Sequence, residues 1–229
     1  VITFTSGVRA DLYPGFGLSI NPRLALLGNP TSTTTLKLIY GTAFRAPNGY
    51  ELFYSDGGHF NKVPESLEPE KIRTAEGVVE QTLGKSWSAV ATVYQTTMTD
   101  LIALSVDQDD GLAVFDNTES ARNIGAELGA EGHPSWLETR GSVSLHNVRD
   151  NVTDDVLYNA PLLLCKAMAS PALVPNHVFL GLEVIAVGAR QNPGDITLDP
   201  YATVNAHLLT RDLVDDLNVS LTVRNLLGT

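Results

Sequence analysis

The side chains able to do chemistry are few and scattered. Five histidines stand at His59, His133, His146, His177 and His207, and none has the close His or Glu neighbour of a zinc-binding pair. No Gly-x-Ser-x-Gly elbow and no phosphate-cradling glycine loop occurs. No Ser-His-acid set stands out, so the chain is not expected to be an enzyme. The single Cys165 excludes an internal disulfide and a multi-cysteine zinc site. It sits in an apolar run and reads as a small buried or lipid-facing residue. The run Asp107-Gln108-Asp109-Asp110-Gly111 has the oxygens and the glycine of a calcium loop. It lacks the spaced ligands and terminal Glu of an EF-hand. Asp107, Asp109 and Asp110 are therefore a calcium candidate whose alternative is a solvated loop tip.

Charge narrows the partners. The 229 residues carry a net charge of -11, and phosphate backbones demand clustered Lys and Arg, so nucleic acid is not expected. Acids gather where loops are expected: Glu65, Glu68 and Glu70, then Asp107, Asp109 and Asp110, then Asp154 and Asp155. With 43% hydrophobic and 18% charged residues the chain is too apolar for disorder. Its longest apolar stretch, residues 178–189, is broken by Glu183, and none reaches the roughly 18–20 residues of a membrane helix. A membrane location would therefore require a closed barrel.

The elements that must hold these residues show period two. Leu217, Val219, Leu221 and Val223 alternate with Asn218, Ser220, Thr222 and Arg224. Ala202, Val204, Ala206 and Leu208 alternate with Tyr201, Thr203, Asn205 and His207. Leu36, Leu38, Tyr40 and Phe44 share a face opposite Lys37, Gly41 and Arg45. Successive side chains of a strand point to opposite faces, so this is strand patterning. Breaks at turn residues give about eleven strands, near 1–12, 19–28, 33–45, 71–83, 86–103, 113–132, 136–149, 160–171, 177–189, 200–210 and 216–226. No segment between them shows a helical stripe. The predicted fold is all-β, an antiparallel up-and-down transmembrane β-barrel in part.

The connections alternate in length. Short turns are expected at 29–32, 84–85, 133–135, 174–176 and 212–215, and at Gly15-Phe16-Gly17. Longer polar connections are expected at 46–70, 105–111, 150–158 and 190–199. Short turns on one rim and long loops on the other is the outer-membrane barrel layout. Several strands run to lengths near the about 9–11 residues of a tilted membrane strand, against about 5–6 for soluble strands. On this reading Leu217, Val219, Leu221 and Val223 face outward and Arg224 inward. A soluble β-sandwich adhesin would instead bury those four, and a passive porin would share the barrel. Val1-Ile2-Thr3-Phe4-Thr5 already alternates like mid-strand sequence, so an N-terminal part is expected to precede it.

Phe44-Arg45-Ala46-Pro47, then Tyr50-Glu51-Leu52, then Ser66-Leu67-Glu68-Pro69-Glu70 form an ordered set of segments that resembles the barrel of TonB-dependent outer-membrane receptors. Phe44-Arg45-Ala46-Pro47 is similar to the family's aromatic-Arg-Ala-Pro segment, and Tyr50-Glu51-Leu52 to its Tyr-Glu-Leu segment. Ser66-Leu67-Glu68-Pro69-Glu70 resembles the Asn-Pro-x-Leu-x-Pro-Glu segment, with Pro64-Glu65 where Asn-Pro is usual. Tyr94, Asp100-Leu101-Ile102, Asn117, Ala121 and Gly125-Ala126-Glu127 match the strands that follow, and Asn159-Ala160-Pro161 and Asn225-Leu226 fit further on. Proline at 47 and 69 would end strand pairing at the feet of the long loop. Glu70 and Lys71 are placed to sit in the headgroup zone. Gly125 would permit a bulge or the close approach of another chain.

The resemblance implies a barrel of about 22 strands around a plug. Residues 1–229 would be part of its C-terminal half, without the plug or the last strands. It implies uptake of a scarce solute (ferric siderophore, haem or cobalamin) across the bacterial outer membrane. The TonB energy-transducing complex would act through the missing N-terminal part. The partners would be outer-membrane lipid and a small iron chelate, haem or vitamin ligand, with no resident cofactor. Phe44, Arg45, Ala46, Pro47, Leu67, Pro69 and Glu70 would shape the barrel. Ligand contact would centre on the long loop, at His59, Tyr54 and Phe60. Haem receptors of the family are similar in placing a histidine between these two motifs, and a neutral imidazole beside aromatic rings can ligate haem iron.

Overall fold

In the computed structural model, the described residues are 1–13, 15, 17–194, 196–211 and 217–228. The strands follow from the alternation. They are β1 (Ile2–Tyr13), β2 (Gly17–Gly28), β3 (Thr34–Arg45), β4 (Glu70–Leu83), β5 (Trp87–Val106), β6 (Ala113–Gly132), β7 (Leu137–Asp150), β8 (Leu163–Val174), β9 (Val178–Val187), β10 (Arg190–Asn192), β11 (Ile196–Leu198), β12 (Tyr201–Thr210) and β13 (Val219–Val223), with a single helix α1 (Gly49–Phe53) after β3. Eleven of them form one antiparallel sheet in the order β1 to β9, then β12 and β13. Within that sheet each strand pairs with the one before and after it in chain order, β9 with β12 because β10 and β11 form a separate hairpin, the up-and-down arrangement expected.

Register sorts the side chains. Cross-strand partners share a face, so Leu36, Leu38 and Tyr40 lie with Val79, Gly77 and Ala75, and Leu208 with Leu221. This apolar face is the exposed one: Leu38, Val93, Leu128, Leu217, Val219, Leu221 and Val223 are all exposed. A sandwich would have buried the last four. The opposite face is polar and stapled across strands. Lys37 donates to Glu80 at 2.5 Å, Arg140 to Glu131 at 2.8 Å and Asn205 to Glu183 at 2.6 Å, while Tyr94 Oη and His146 Nδ1 lie 2.7 Å apart.

Three expectations change. A five-residue helix and a β10–β11 hairpin occupy segments expected to be irregular. Both are too short to show a period. Gly125 marks no bulge, because the β5–β6 ladder runs unbroken from Trp87↔Gly132 to Met98↔Ala121. A Cβ there would lie 2.4 Å from the Tyr94 ring and hydroxyl, so the glycine seats an aromatic ring from the next strand. The irregularity comes further on, between Met98 and Ala103, where Asp100 takes φ of 58°. The turns expected at 212–215 and Gly15-Phe16-Gly17 fall wholly or partly outside the described residues.

Candidate functional site

Between β3 and β4 the chain leaves the sheet for its longest connection, residues 46–69. Arg45, the last residue of β3, anchors both ends of it. Its Nη1 donates to Glu51 at 3.0 Å and its Nε to Glu70 at 2.5 Å. Glu70 also accepts from the Ile102 amide at 3.0 Å. It is thus buried on the polar face, and of the pair expected in the headgroup zone only Lys71 is on the apolar side. Helix α1 starts because Asn48 caps it. The Asn48 side chain accepts from the Tyr50 and Glu51 amides, and Glu51 returns to the Asn48 amide at 2.8 Å, a complete capping box.

The remainder of the loop is fixed to the extended β5–β6 hairpin. Leu67 is only 6% exposed. Asn117 brackets the loop's exit, accepting from the Glu68 amide at 2.7 Å and donating to Glu68 O at 2.9 Å and Asp100 O at 2.6 Å. Asn61 bridges Ala113 in parallel, with Lys62 N donating to Ala113 O and Ala113 N to Phe60 O. Lys62 Nζ donates to Asp107 and, at 2.7 Å, to Asp110. These hydrogen bonds hold both carboxyls below the usual carboxylate range and raise Lys62 above that of lysine.

The loop's tip folds on itself. Asp56 accepts from the amides of His59, Phe60 and Asn61. Hydrogen bonds from the Asn61 amide, then Phe60 and His59, keep its carboxyl below the ordinary range. His59 is thereby presented with its ring exposed, next to Phe60 at 77% exposure. Tyr54 stacks on Tyr50, with centroids 4.4 Å apart, and Tyr50 meets Phe115 edge-on at 5.7 Å. Sequence singled out Tyr50 only as part of the Tyr50-Glu51-Leu52 resemblance, not as a ligand contact, and Phe115 not at all. The four-residue spacing of Tyr50 and Tyr54 on a short helix was the available signal; Phe115 comes from a strand 65 residues on and had none.

Phe44 packs edge-on against Tyr13 at 5.6 Å, and Ala46 and Pro47 lead into the cap of α1. Pro69 directly precedes β4. Of the acidic run, Asp107 and Asp110 grip Lys62 while Asp107 also accepts from the Asp109 amide. No group of three His, Cys, Asp or Glu able to hold a metal ion occurs among the described residues.

A single long-stranded sheet with an exposed apolar face, a stapled polar face and a braced loop on one rim defines a membrane-barrel wall. A model of the family "TonB dependent receptor-like, beta-barrel" matches residues 2–226, and the chain belongs to that family. A search of curated proteins returns no match. Similar solved structures include a mutant of the ferric enterobactin receptor PfeA of Pseudomonas aeruginosa (20% identity, TM-score 0.83, 99% of this chain and 37% of that one). The siderophore receptor PirA of Acinetobacter baumannii is similar too (16%, 0.83, 99% and 39%), as is the FrpB iron transporter of Neisseria meningitidis (17%, 0.76, 100% and 39%). The chain thus spans under two-fifths of these proteins.

Proposed function

We propose that this chain is part of the C-terminal half of an outer-membrane receptor barrel that takes up an iron chelate with TonB-coupled energy. On this reading its apolar face meets lipid and its polar face meets a plug carried elsewhere in the full-length protein. The observation that carries the reading is the braced connection 46–69: a family barrel wall whose longest loop is rigidly mounted yet exposes Phe53 and Phe60 at its surface. Such a loop captures a solute without bond chemistry, because preorganised aromatic surface lowers the ordering cost of binding. The test is growth under iron restriction on a panel of ferric siderophores, with the full-length receptor present or deleted, in cells with and without TonB. Growth on one chelate that needs both supports the reading; uptake independent of TonB sinks it in favour of a passive porin.

A second reading is haem, favoured by the exposed ring of His59 beside Phe60. His59→Ala in the full-length receptor would then abolish haem-dependent growth while sparing barrel assembly. Unchanged haem uptake removes this reading and leaves the chelate one standing.

A further inference from the structure

One seam inside the sheet is not closed. The β2–β3 ladder runs from Gly28↔Leu36 to Arg23↔Gly41 and stops, although β2 begins at Gly17 and β3 continues to Arg45. The flanking ladders are not interrupted there: β1–β2 pairs as far as Tyr13↔Gly17 and β3–β4 as far as Arg45↔Glu70. The phase of the hydrogen bonds explains the stop. Asn29 N donates to Val1 O, so the odd residues of β2 serve β1 and the even ones face β3. Thr82 N donates to Thr33 O, so the odd residues of β3 serve β4 and the even ones face β2. Pro22 therefore falls opposite Thr42, where the next N–H is needed, and proline has none. Beyond it, Ile20 and Leu18 on one side and Phe44 on the other turn N–H and C=O groups into the seam without a ladder partner.

The seam is a slot through the wall. A cleft of 750 Å³ is lined from the apolar face by Ile20, Tyr40 and Thr42 and from the polar face by Ser19, Asn21 and Ala43. At its foot Thr42 Oγ1 donates to Asn21 Oδ1 at 3.5 Å, and further out the Tyr13 and Phe44 rings meet edge-on across it. Two cations, Lys71 and Arg73, stand in its wall. Lys71 is held by Asp100 and Glu68, whereas Arg73 makes no hydrogen bond or ion pair with a described residue.

We propose that this slot binds an extended peptide carrying a carboxylate, which adds as a strand between β2 and β3. A hydrocarbon tail would fill the volume but leave the backbone groups of Ile20 and Phe44 unpaired, which is costly in a membrane wall that little water reaches. A peptide backbone repeats a donor and an acceptor at strand spacing along both of its edges, as strand addition requires. The open stretch of β2, from Gly17 to Pro22, is about 20 Å long, room for about six residues. An added strand needs about 4.8 Å on each side, so its entry parts the Tyr13 and Phe44 rings. Arg73 selects by charge, its planar fork pairing with a carboxylate of the peptide. Because the slot is lined from the apolar face as well as the polar one, a partner outside the barrel can reach it. The site goes beyond the iron-chelate reading and holds whichever solute the receptor carries.

The probe is a fluorescent peptide of about eight residues, alternating threonine and valine around one central aspartate. Its binding to the full-length receptor in detergent is followed by fluorescence anisotropy. Wild type should bind it, and saturation should slow amide exchange at Ile20 and Phe44 at least about tenfold. The same peptide methylated on alternate amide nitrogens should bind at least about tenfold more weakly. Asparagine in place of the aspartate should weaken binding to wild type but not to an R73Q receptor with unchanged thermal unfolding. Pro22→Val restores the missing N–H. A receptor closed in this way, recognised by a Phe44 amide protected without peptide, should bind the probe at least about tenfold less. No binding by wild type, or binding that leaves Ile20 and Phe44 unprotected, overturns the site. Equal binding of the methylated peptide overturns it too, since the slot would then take apolar matter without strand pairing. A preference for aspartate that survives in R73Q overturns the role of Arg73.

Discussion

Arg45 is the residue on which the long loop turns. Its guanidinium serves Glu51 and Glu70, whose side chains are each only 11% exposed. Removing it strands two carboxylates in a poorly solvated place, which costs on the order of 3 kcal/mol. Arg45→Ala is therefore expected to admit protease cleavage within residues 46–69 under conditions where the parent barrel resists. Asn48→Ala removes only the cap and should cost about 1 kcal/mol, with slower cleavage at the same sites. The types at this anchor were legible in sequence, in Phe44-Arg45-Ala46-Pro47 and Pro69-Glu70. Their partners were less so. Glu51 could be guessed from the capping spacing, but the union of Lys62 with Asp107 and Asp110 joins segments 45 and 48 residues apart and leaves no local trace. His59 was visible as a loop histidine. That Asp56 gathers three amides to present it was not.

The loop and the β5–β6 hairpin behave as one element through the Lys62 clamp. The depressed carboxyls of Asp107 and Asp110 contribute fully above the ordinary value of about 3.9, and the contribution is lost as pH falls through their lower folded values. The raised Lys62 contributes fully below about 10.4 and fails as pH climbs through its higher folded value. Amide exchange at Lys62 and Ala113, measured in the full-length receptor and corrected for intrinsic rate, should therefore be flat between those limits and accelerate outside them. In Lys62→Met it should be faster and lack the acid limb; a parent profile that stays flat through the acid limit would refute the clamp. A second element-scale prediction concerns Gly125. A methyl there meets the Tyr94 ring at 2.4 Å and the Leu145 carbonyl at 2.9 Å, so Gly125→Ala should destabilise by about 1–3 kcal/mol. Tyr94→Leu added to it should recover part of that loss, as a double-mutant cycle would show. The strands themselves were readable because each long run alternates over a dozen residues. Helix α1 and the β10–β11 hairpin fell below the length at which a period can be seen, and the irregularity at Asp100 depends on pairing rather than composition.

At the scale of the whole molecule the sheet has two open edges, β1 and β13, each offering unpaired backbone groups. The 229-residue chain made by itself should accordingly associate through those edges. A monodisperse monomer in plain buffer, melting cooperatively, would contradict that expectation. Within the full-length barrel, charge on the apolar face should be costly in proportion to depth. Leu38→Arg, in a row two below Thr42, is expected to cost about 2–4 kcal/mol, against near zero for Thr42→Arg at the rim. Folding titrations into lipid vesicles would order the two. Equal penalties would mean that this face does not meet hydrocarbon.

The break in register between Met98 and Ala103 also sets how the receptor can change. Below it, adding one residue to β5 would turn every later side chain of that strand to the wrong face, because the strand period is two. Above it, the ladder resumes for four pairs only, Ala103↔Asp116 to Val106↔Ala113, so a residue gained or lost near Gln108 can disturb no more than that short stretch. The irregularity works as a buffer for length. The outer tips of β5 and β6 are free to diverge between relatives in size and composition, while the wall below must keep its residue count.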